Sequence, residues 1–447
     1  MKIKFLIITI FFTVLHCNKL FSQDLIAPLI SNNPKALFEN PALAPTQDNF
    51  FSLPIVGSFN TKFSNSFSFS DVTENTDGRN YRLNSSELLR VLSKNNNRTT
   101  VNYSLDIFHL GFALTENNYL SFAFRNRFNG AGNIPAGLAE LTLDNPIDSY
   151  KTFDISSDFK FMMWNEIGVQ YSHKVNENWQ IGGRFKCLFG MFNIETDKLS
   201  YTVEKLADGS DYYYLLSGDL NMRSSNYYGG NIHFNSFLIN NPGIGVDLGA
   251  KFQTVNKRLT VNASVTDVGF IFWNTNSKTT VTNNPNNKLR FDGFGDLEKT
   301  FNSGSFDLEN LFDSVGTDFK ETIGLSSTDK NYFSALPTTF QTGGIFSLDD
   351  DLSHYLNLGF AGTIMTSEKF HYAISAGYSW ISQNQNWQLL ANYTYYGNSA
   401  NGLGLGAVFN AEVYQIYLAT NNILSVFSPL GSKLVGLNCG VNFFRLF

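Results

Sequence analysis

The sequence has 447 residues, of which 16% are charged and 15% aromatic, and its formal net charge is −6. A mildly acidic chain lacks the basic footprint that nucleic-acid phosphates require, so we expect no nucleic-acid partner. Beyond the N-terminus no apolar run is long enough for a transmembrane helix, which excludes a helical membrane bundle.

Residues 1–23 are typical of a secretory signal peptide. Lys2 and Lys4 precede an apolar stretch over residues 5–15, and a polar stretch ends at Gln23. This apolar stretch is much shorter than the ~20 residues of a membrane-spanning helix. We therefore predict export, with cleavage near Gln23.

Residues 24–50 form a separate N-terminal segment before the first predicted strand. The segment carries prolines at positions 28, 34, 41 and 45. Proline lacks the N–H donor of a helix interior, so this segment cannot be one long helix.

From residue 51 onward the chain alternates apolar and polar side chains with a period of two. The alternation recurs in about fourteen segments, each near the ~10 residues that cross a bilayer as a tilted strand. These segments lie near 53–69, 108–114, 120–124, 167–171, 179–189, 244–252, 259–265, 340–348, 356–364, 370–378, 387–395, 403–409, 414–418 and 437–443. The pattern predicts an all-β fold over residues 51–447, a transmembrane antiparallel up-and-down barrel.

The connections between the predicted strands sort by length. Tight polar turns alternate with long connections at about 72–98, 129–163, 195–242 and 274–337. Outer-membrane barrels place short turns in the periplasm and long loops outside the cell. A secreted β-sandwich would also alternate, but its loops need not sort in this way. We predict a barrel in the outer membrane of a Gram-negative bacterium, with membrane lipid as a partner.

Aromatic residues mark the predicted strand ends. All five tryptophans, at positions 164, 179, 273, 380 and 387, lie there, as expected for an aromatic girdle. Phe443 and Phe447 close an alternating last strand. This ending is typical of an outer-membrane assembly signal.

The apolar positions change from odd to even numbers around Asp267 and Gly269. One extra residue in a strand re-aims every later side chain, so this change predicts a β-bulge or kink. Structurally, such a bulge only bends the strand. Functionally, a kinked strand could open a lateral exit for a hydrophobic molecule.

Ten charged residues fall on predicted lumen-facing positions, and no cluster of them stands out. They are Lys62, Asp106, Arg125, Arg127, Glu166, Arg184, Lys186, Asp247, Lys251 and Glu412. Their mixed signs favour paired charges that brace a filled interior over a selective ion path.

The sequence contains no convincing catalytic arrangement. Its histidines show neither metal-ligand spacing nor a Ser/His/acid grouping, and no phosphate-binding glycine loop is present. We predict no enzymatic activity, no catalytic residue, no metal site and no cofactor.

Four motifs in this order resemble the fatty-acid-transporter-like outer-membrane barrels of fourteen strands, and most closely a Bacteroidota branch of unknown function. The motifs span residues 39–45, 264–273, 335–338 and 421–442. Relatives of this architecture include hydrocarbon and fatty-acid channels. They also include the plug and shuttle barrels associated with the type IX secretion translocon.

The resemblance implies that residues 24–50 fold into the lumen as a hatch, with Asn40, Pro41, Ala42 and Pro45 as its motif. A partner-binding arm and a disordered leader beneath the barrel are the alternatives. From the resemblance and the polar interior we predict a non-enzymatic accessory barrel that gates or partners a larger type IX translocon barrel. The alternative function is passive uptake of small hydrophobic compounds through a hatch-gated barrel.

Overall fold

The structure is a computed structural model of the chain. It describes residues 26–52, 58–75, 81–92, 97–142, 150–208, 211–228, 231–232, 240–291, 316–364, 370–396 and 400–445. The predicted signal peptide and Phe447 lie outside the described residues.

Fourteen long antiparallel strands form the wall of a closed barrel. They are β1 (Asn49–Ser52 and Phe59–Asn65), β2 (Arg98–Thr115), β3 (Asn118–Asn133), β4 (Phe159–Lys174), β5 (Trp179–Asp208), β6 (Pro242–Gln253), β7 (Leu259–Trp273), β8 (Thr338–Ser347), β9 (His354–Ile364), β10 (Phe370–Ile381), β11 (Trp387–Tyr396), β12 (Ala400–Asn410), β13 (Tyr414–Thr420) and β14 (Leu434–Phe444). Pairing of Phe50 with Phe444 and of Phe63 with Val435 joins β1 to β14 and closes the barrel. The predicted fourteen-stranded antiparallel barrel is confirmed.

The polarity of the wall is the reverse of that of a soluble protein. On β9, Leu356 and Leu358 are 47% and 65% exposed, whereas Asn357 between them is 3% exposed. Apolar side chains outside and polar side chains inside are stable only where the surroundings are lipid. The outer face of the barrel is therefore the membrane-facing surface, and the end with the short turns is its periplasmic end.

The other helices and strands lie mostly within the long connections between wall strands. The helices are α1 (Ala36–Glu39), α2 (Ser85–Leu92), α3 (Ala136–Thr142), α4 (316–322) and α5 (Leu424–Phe427), with 3-10 turns at Ala27–Leu29 and Phe69–Asp71. The strands outside the barrel wall are Thr73–Asn75, Tyr81–Leu83, Tyr150–Asp154, Asp211–Ser225, Tyr227–Tyr228, Asn231–Ile232, Ser277–Thr282, Leu289–Phe291, Leu325–Asp329 and Tyr332–Ala335. In the part of the chain that the structure describes, no helix has the length and apolar character needed to cross a membrane.

The sheet of the barrel wall extends outward past the lipid-facing band. The outer part of β5 continues past the lipid-facing band and pairs with the strands Tyr150–Asp154 and Asp211–Ser225. The latter strand pairs in turn with Ser277–Thr282 and Leu289–Phe291. Much of the predicted outer loops is therefore regular β-structure.

The predicted aromatic girdle is wrong for two of the five tryptophans. Trp179 and Trp387 are 47% and 48% exposed at the periplasmic end, but Trp164 and Trp273 have no exposed surface. The latter two belong to an apolar cluster inside the outer half of the lumen, together with Met162, Leu188, Ile271, Tyr332 and Leu336. Their positions at strand ends did not reveal which face of the wall they occupy.

Candidate functional site

Residues 26–48 lie inside the periplasmic half of the barrel, and we refer to them as the N-terminal segment. Ile26 and Ile30 pack against inward-facing side chains of β11, β12 and β13. The main-chain N–H and the hydroxyl of Ser31 donate to Gln388 Oε1 at 2.9 and 2.8 Å. These contacts attach the start of the segment to one side of the wall.

Asn40 attaches the segment to the opposite side of the wall. Its side chain is 1% exposed, and Nδ2 donates to the main-chain oxygens of Ala250 and Ala263 at 3.2 and 3.1 Å. Its Oδ1 accepts the N–H of Ala42 at 2.9 Å, which stabilises the local turn. A Cβ on Gly249 would lie 2.0 Å from that oxygen, so β6 must carry a glycine here.

Pro41 contacts the neighbouring strands β4 and β5. Its carbonyl oxygen accepts hydrogen bonds from Gln170 Nε2 at 3.1 Å and from the hydroxyl of Ser172. A Cβ on Gly182 would lie 2.2 Å from the same oxygen. Pro45, further along the motif, is buried. The motif residues Asn40, Pro41 and Ala42 thus contact the barrel wall at Gly182 and Gly249, where any larger side chain would collide with them.

Phe38 extends from α1 to the centre of the barrel. Its ring centroid lies 3.8 Å from Cζ of Arg125 and 4.6 Å from Cζ of Arg184, and 4.4 Å from the ring of His109. A desolvated cation–π contact contributes about 2 kcal/mol. Phe38 therefore links the N-terminal segment to the charged side chains of the wall.

Eight charged side chains form a continuous band across β2 to β7 beside Phe38, and we call this group the charged band. It consists of Asp106, Arg125, Arg127, Glu166, Arg184, Lys186, Asp247 and Asp267. Each side chain is at most 15% exposed, and the four cations balance the four carboxylates. The pairing of every cation with a carboxylate agrees with the expectation of paired charges in a filled interior.

Glu166 is the centre of the charged band. Its Oε1 accepts from Arg125 Nη1 at 3.1 Å and from Arg184 Nη2 at 2.8 Å, and its Oε2 accepts from Arg127 Nη1 at 3.2 Å. The side chain has no exposed surface. One carboxylate therefore accepts hydrogen bonds from three buried guanidinium groups on the two neighbouring strands.

Asp267 joins the charged band through a β-bulge. Asp247 of β6 stands opposite both Thr266 and Asp267 of β7, and Asp267 has a φ of 61°. Its carboxylate accepts from Arg127 at 2.7 and 2.9 Å and from Lys186 at 2.5 Å. Its own N–H donates to Asp247 Oδ1 at 2.6 Å. The bulge thus places this carboxylate within reach of two cations.

The bulge also re-aims the outer part of β7. Beyond it Ile271 and Trp273 point into the lumen, while Phe270 is 41% exposed to lipid. At Gly269 a Cβ would lie 2.2 Å from the carbonyl oxygen of Ile244, so a glycine is required where β6 and β7 approach closely.

The grouping of the charges differs from the sequence-based expectation. Seven of the ten predicted lumen-facing charges meet in the charged band, so the expectation that no cluster stands out was wrong. Lys62 instead lies with Nζ 3.7 Å from the ring centroid of Tyr396, and Lys251 lines a cavity at the periplasmic end. Glu412 was wrongly assigned to the lumen, because it lies exposed in a turn and pairs with Arg445.

Cavities remain beside the N-terminal segment, and the two larger ones among the described residues bear on its role. The first, of ≈ 40 Å³, lies between Phe38 and the charged band, and such a volume holds only a few water molecules. The second, of ≈ 330 Å³, lies at the periplasmic end between the segment and β6 to β11. The space between Phe38 and the charged band is therefore too small for a solute much larger than water.

The remaining predicted residues lie away from this site. Phe443 of β14 pairs with Tyr414 of β13 and Phe51 of β1, whereas the adjacent Phe444 points inward against Leu37 of the segment. Within the described ranges, no group of His, Cys, Asp and Glu side chains has an arrangement suited to a metal ion.

Residues 41–421 match the model of the Family of unknown function (DUF5723), and no curated protein matches the chain. Among solved structures, the chain is similar to the toluene transporter TbuX of Ralstonia pickettii, with 9% identity, a TM-score of 0.41 and 92% and 94% of the two chains covered. It is also similar to a FadL homologue of Pseudomonas aeruginosa, with 10% identity, a TM-score of 0.43 and coverages of 94% and 95%. The chain is similar as well to the toluene transporter TodX of P. putida, with 10% identity, a TM-score of 0.41 and coverages of 91% and 92%. The type IX association that the resemblance implied gains no support from these similarities.

Proposed function

The chain belongs to the DUF5723 family of unknown function, and we propose that it is an outer-membrane barrel for passive uptake of small hydrophobic molecules, gated by the N-terminal segment. The observation that supports this proposal is the position of residues 26–48. They contact opposite sides of the lumen and leave only ≈ 40 Å³ beside Phe38. Uptake then requires the segment to move aside, as a hatch does.

The distribution of apolar surface favours a hydrophobic solute. The outer half of the lumen contains the apolar cluster around Trp164 and Trp273. The periplasmic cavity is lined in part by Leu29, Ile30 and Ile345. Apolar side chains thus lie on both sides of the charged band, and a small hydrophobic molecule would contact the outer ones only where their packing opens.

Gly182 and Gly183 offer a matched test of the hatch. A side chain at Gly182 would collide with the carbonyl of Pro41, whereas a Cβ at Gly183 would make ordinary contacts with a Leu248 methyl at 3.7 Å and the Asp247 carbonyl oxygen at 3.9 Å. We expect Gly182→Val to loosen the N-terminal segment and to raise entry of the hydrophobic dye N-phenylnaphthylamine into cells that express the barrel. Gly183→Val should leave dye entry at the wild-type rate.

Two results would contradict the proposal. One is equal dye entry for both valine variants, with heat-modifiable migration showing that both barrels are folded. The other is that expression of the unmodified barrel gives no more dye entry than cells without it. The first result would show that the N-terminal segment is a fixed plug and not a gate. The second would show that the barrel does not take up the dye.

An accessory role at a larger type IX translocon barrel is the second candidate function. The observation that favours a partner is the sheet outside the membrane, in which β5 pairs with the strand Asp211–Ser225 well beyond the lipid-facing band. Purification from the native host in mild detergent distinguishes the two functions. Stoichiometric recovery of a second, larger barrel supports the accessory role, whereas a barrel that always elutes alone and admits the dye excludes it.

A further inference from the structure

The helix α5 stands where the outer part of a strand is missing. β13 ends at Thr420, which pairs with Leu405 of β12 and Leu437 of β14. Both neighbouring strands continue further outward, to Ala400 and Leu434. The wall therefore has a notch on its outer side, and the residues after Thr420 fill it.

Main-chain hydrogen bonds hold this connection at the level of the neighbouring strands. The N–H of Ile423 donates to the carbonyl of Leu403 at 2.7 Å, and the N–H of Asn421 donates to the carbonyl of Gly436 at 3.4 Å. Leu403 is itself 43% exposed on the lipid-facing side of β12. The start of α5 thus lies at the height of the apolar outer surface of the barrel.

The polarity of α5 is inverted relative to a loop in water. Leu424, Val426 and Phe427 are 59%, 63% and 81% exposed. Ser425 is 4% exposed, and its hydroxyl donates to the carbonyl of Asn422 at 2.6 Å. This connection repeats the arrangement of the strands, with polar groups inside and large apolar groups outside.

The main chain of α5 also meets the requirement that lipid imposes, which is internal pairing of backbone groups. The N–H of Val426 donates to the carbonyl of Ile423 at 3.0 Å, and that of Ser428 to the carbonyl of Leu424 at 2.8 Å. Residues 423–431 contain no charged side chain. The first charge after them, Lys433, forms an ion pair with Asp71 at 3.2 Å and marks the start of the aqueous surface.

We propose that α5 lies in the outer leaflet of the membrane, with Leu424, Val426 and Phe427 in contact with lipid acyl chains. The arguments are the continuity of this surface with the lipid-facing side chains of β12 to β14, the internal pairing of its backbone and the absence of charge. This contact is independent of the uptake route, because α5 faces away from the lumen.

Spin labelling in bilayer nanodiscs tests the location of α5. In a Cys187→Ala, Cys439→Ala background, Phe427→Cys carries a nitroxide, and Val426→Cys provides a second position. Leu418→Cys, 56% exposed on β13, is the lipid control, and Asp350→Cys, 91% exposed in a short turn, is the aqueous control. Heat-modifiable migration establishes that each labelled barrel is folded.

We expect molecular oxygen, which concentrates in acyl chains, to relax the labels at 427 and 426 more strongly than the water-soluble nickel complex Ni-EDDA does, as at position 418. A stronger effect of Ni-EDDA, as at position 350, would overturn the proposal. Protection from both reagents, with spin–spin broadening that grows with protein density, would assign the surface to a second copy and would equally overturn it.

Discussion

A barrel that lacks residues 26–47 is expected to admit solutes that the full chain excludes. These residues occupy the periplasmic half of the lumen and leave ≈ 40 Å³ beside Phe38 at the level of the charged band. Several hydrogen bonds of about 1 kcal/mol each hold the segment, and each 1.4 kcal/mol corresponds to tenfold in an equilibrium constant. The closed state should therefore dominate, and its loss should raise entry of N-phenylnaphthylamine by more than about tenfold.

Two variants make the deletion experiment interpretable. A glycine–serine linker of equal length in place of residues 26–47 keeps the length of the segment but removes its contacts with the wall. This variant should admit almost as much dye as the deletion variant. Thr46→Ala changes an exposed residue of the segment and should leave entry unchanged. Unchanged entry for a folded deletion variant would show that the N-terminal segment is not the barrier.

The number of strands could be predicted because the signal for it is local. One face of each strand contacts lipid and the other faces the lumen. In a sequence such as Leu356-Asn357-Leu358, the polarity of each residue therefore indicates which face it occupies. The sorting of short turns and long loops then orients the barrel. Neither inference needs to know which residues stand opposite each other.

The charged band could not be predicted in the same way, because it depends on register between strands. Glu166 and Asp267 are 101 positions apart in the chain, yet both accept hydrogen bonds from Arg127. Their proximity results from strand pairings across β3 to β7 and from the bulge opposite Asp247. The sequence shows each charge on an inward face but not its height in the wall.

The inward position of Trp273 could have been predicted from the sequence. The change of parity around Asp267 already implied that later odd positions face the lumen, and Trp273 is one of them. A glycine supplies the space for it, because a Cβ on Gly190 would lie 2.4 Å from the indole ring. Strand-end location was a weaker guide than the parity count, since a rim position has both an inner and an outer face.

Replacement of Glu166 by glutamine is expected to give the largest loss of stability among single substitutions in the lumen. Glutamine keeps the size of the side chain but removes the charge that compensates Arg125, Arg127 and Arg184. Removing one partner of a buried ionic group typically costs about 3–5 kcal/mol, and here four buried cations would be left with three carboxylates, so that one positive charge stays buried without compensation. The free energy of unfolding in detergent, measured by tryptophan fluorescence against guanidinium chloride, should fall by this amount.

Glu412→Gln is the matched control, since it makes the same chemical change outside the lumen. Its side chain is 76% exposed and pairs with Arg445 in a turn, where an ion pair contributes about 0–1 kcal/mol. A similar small loss for both variants would mean that water screens the charged band as it screens the surface. The lumen would then be hydrated at its centre, and closure would rest on the N-terminal segment alone. A large loss confined to Glu166→Gln would instead show that water does not screen the charges of the band.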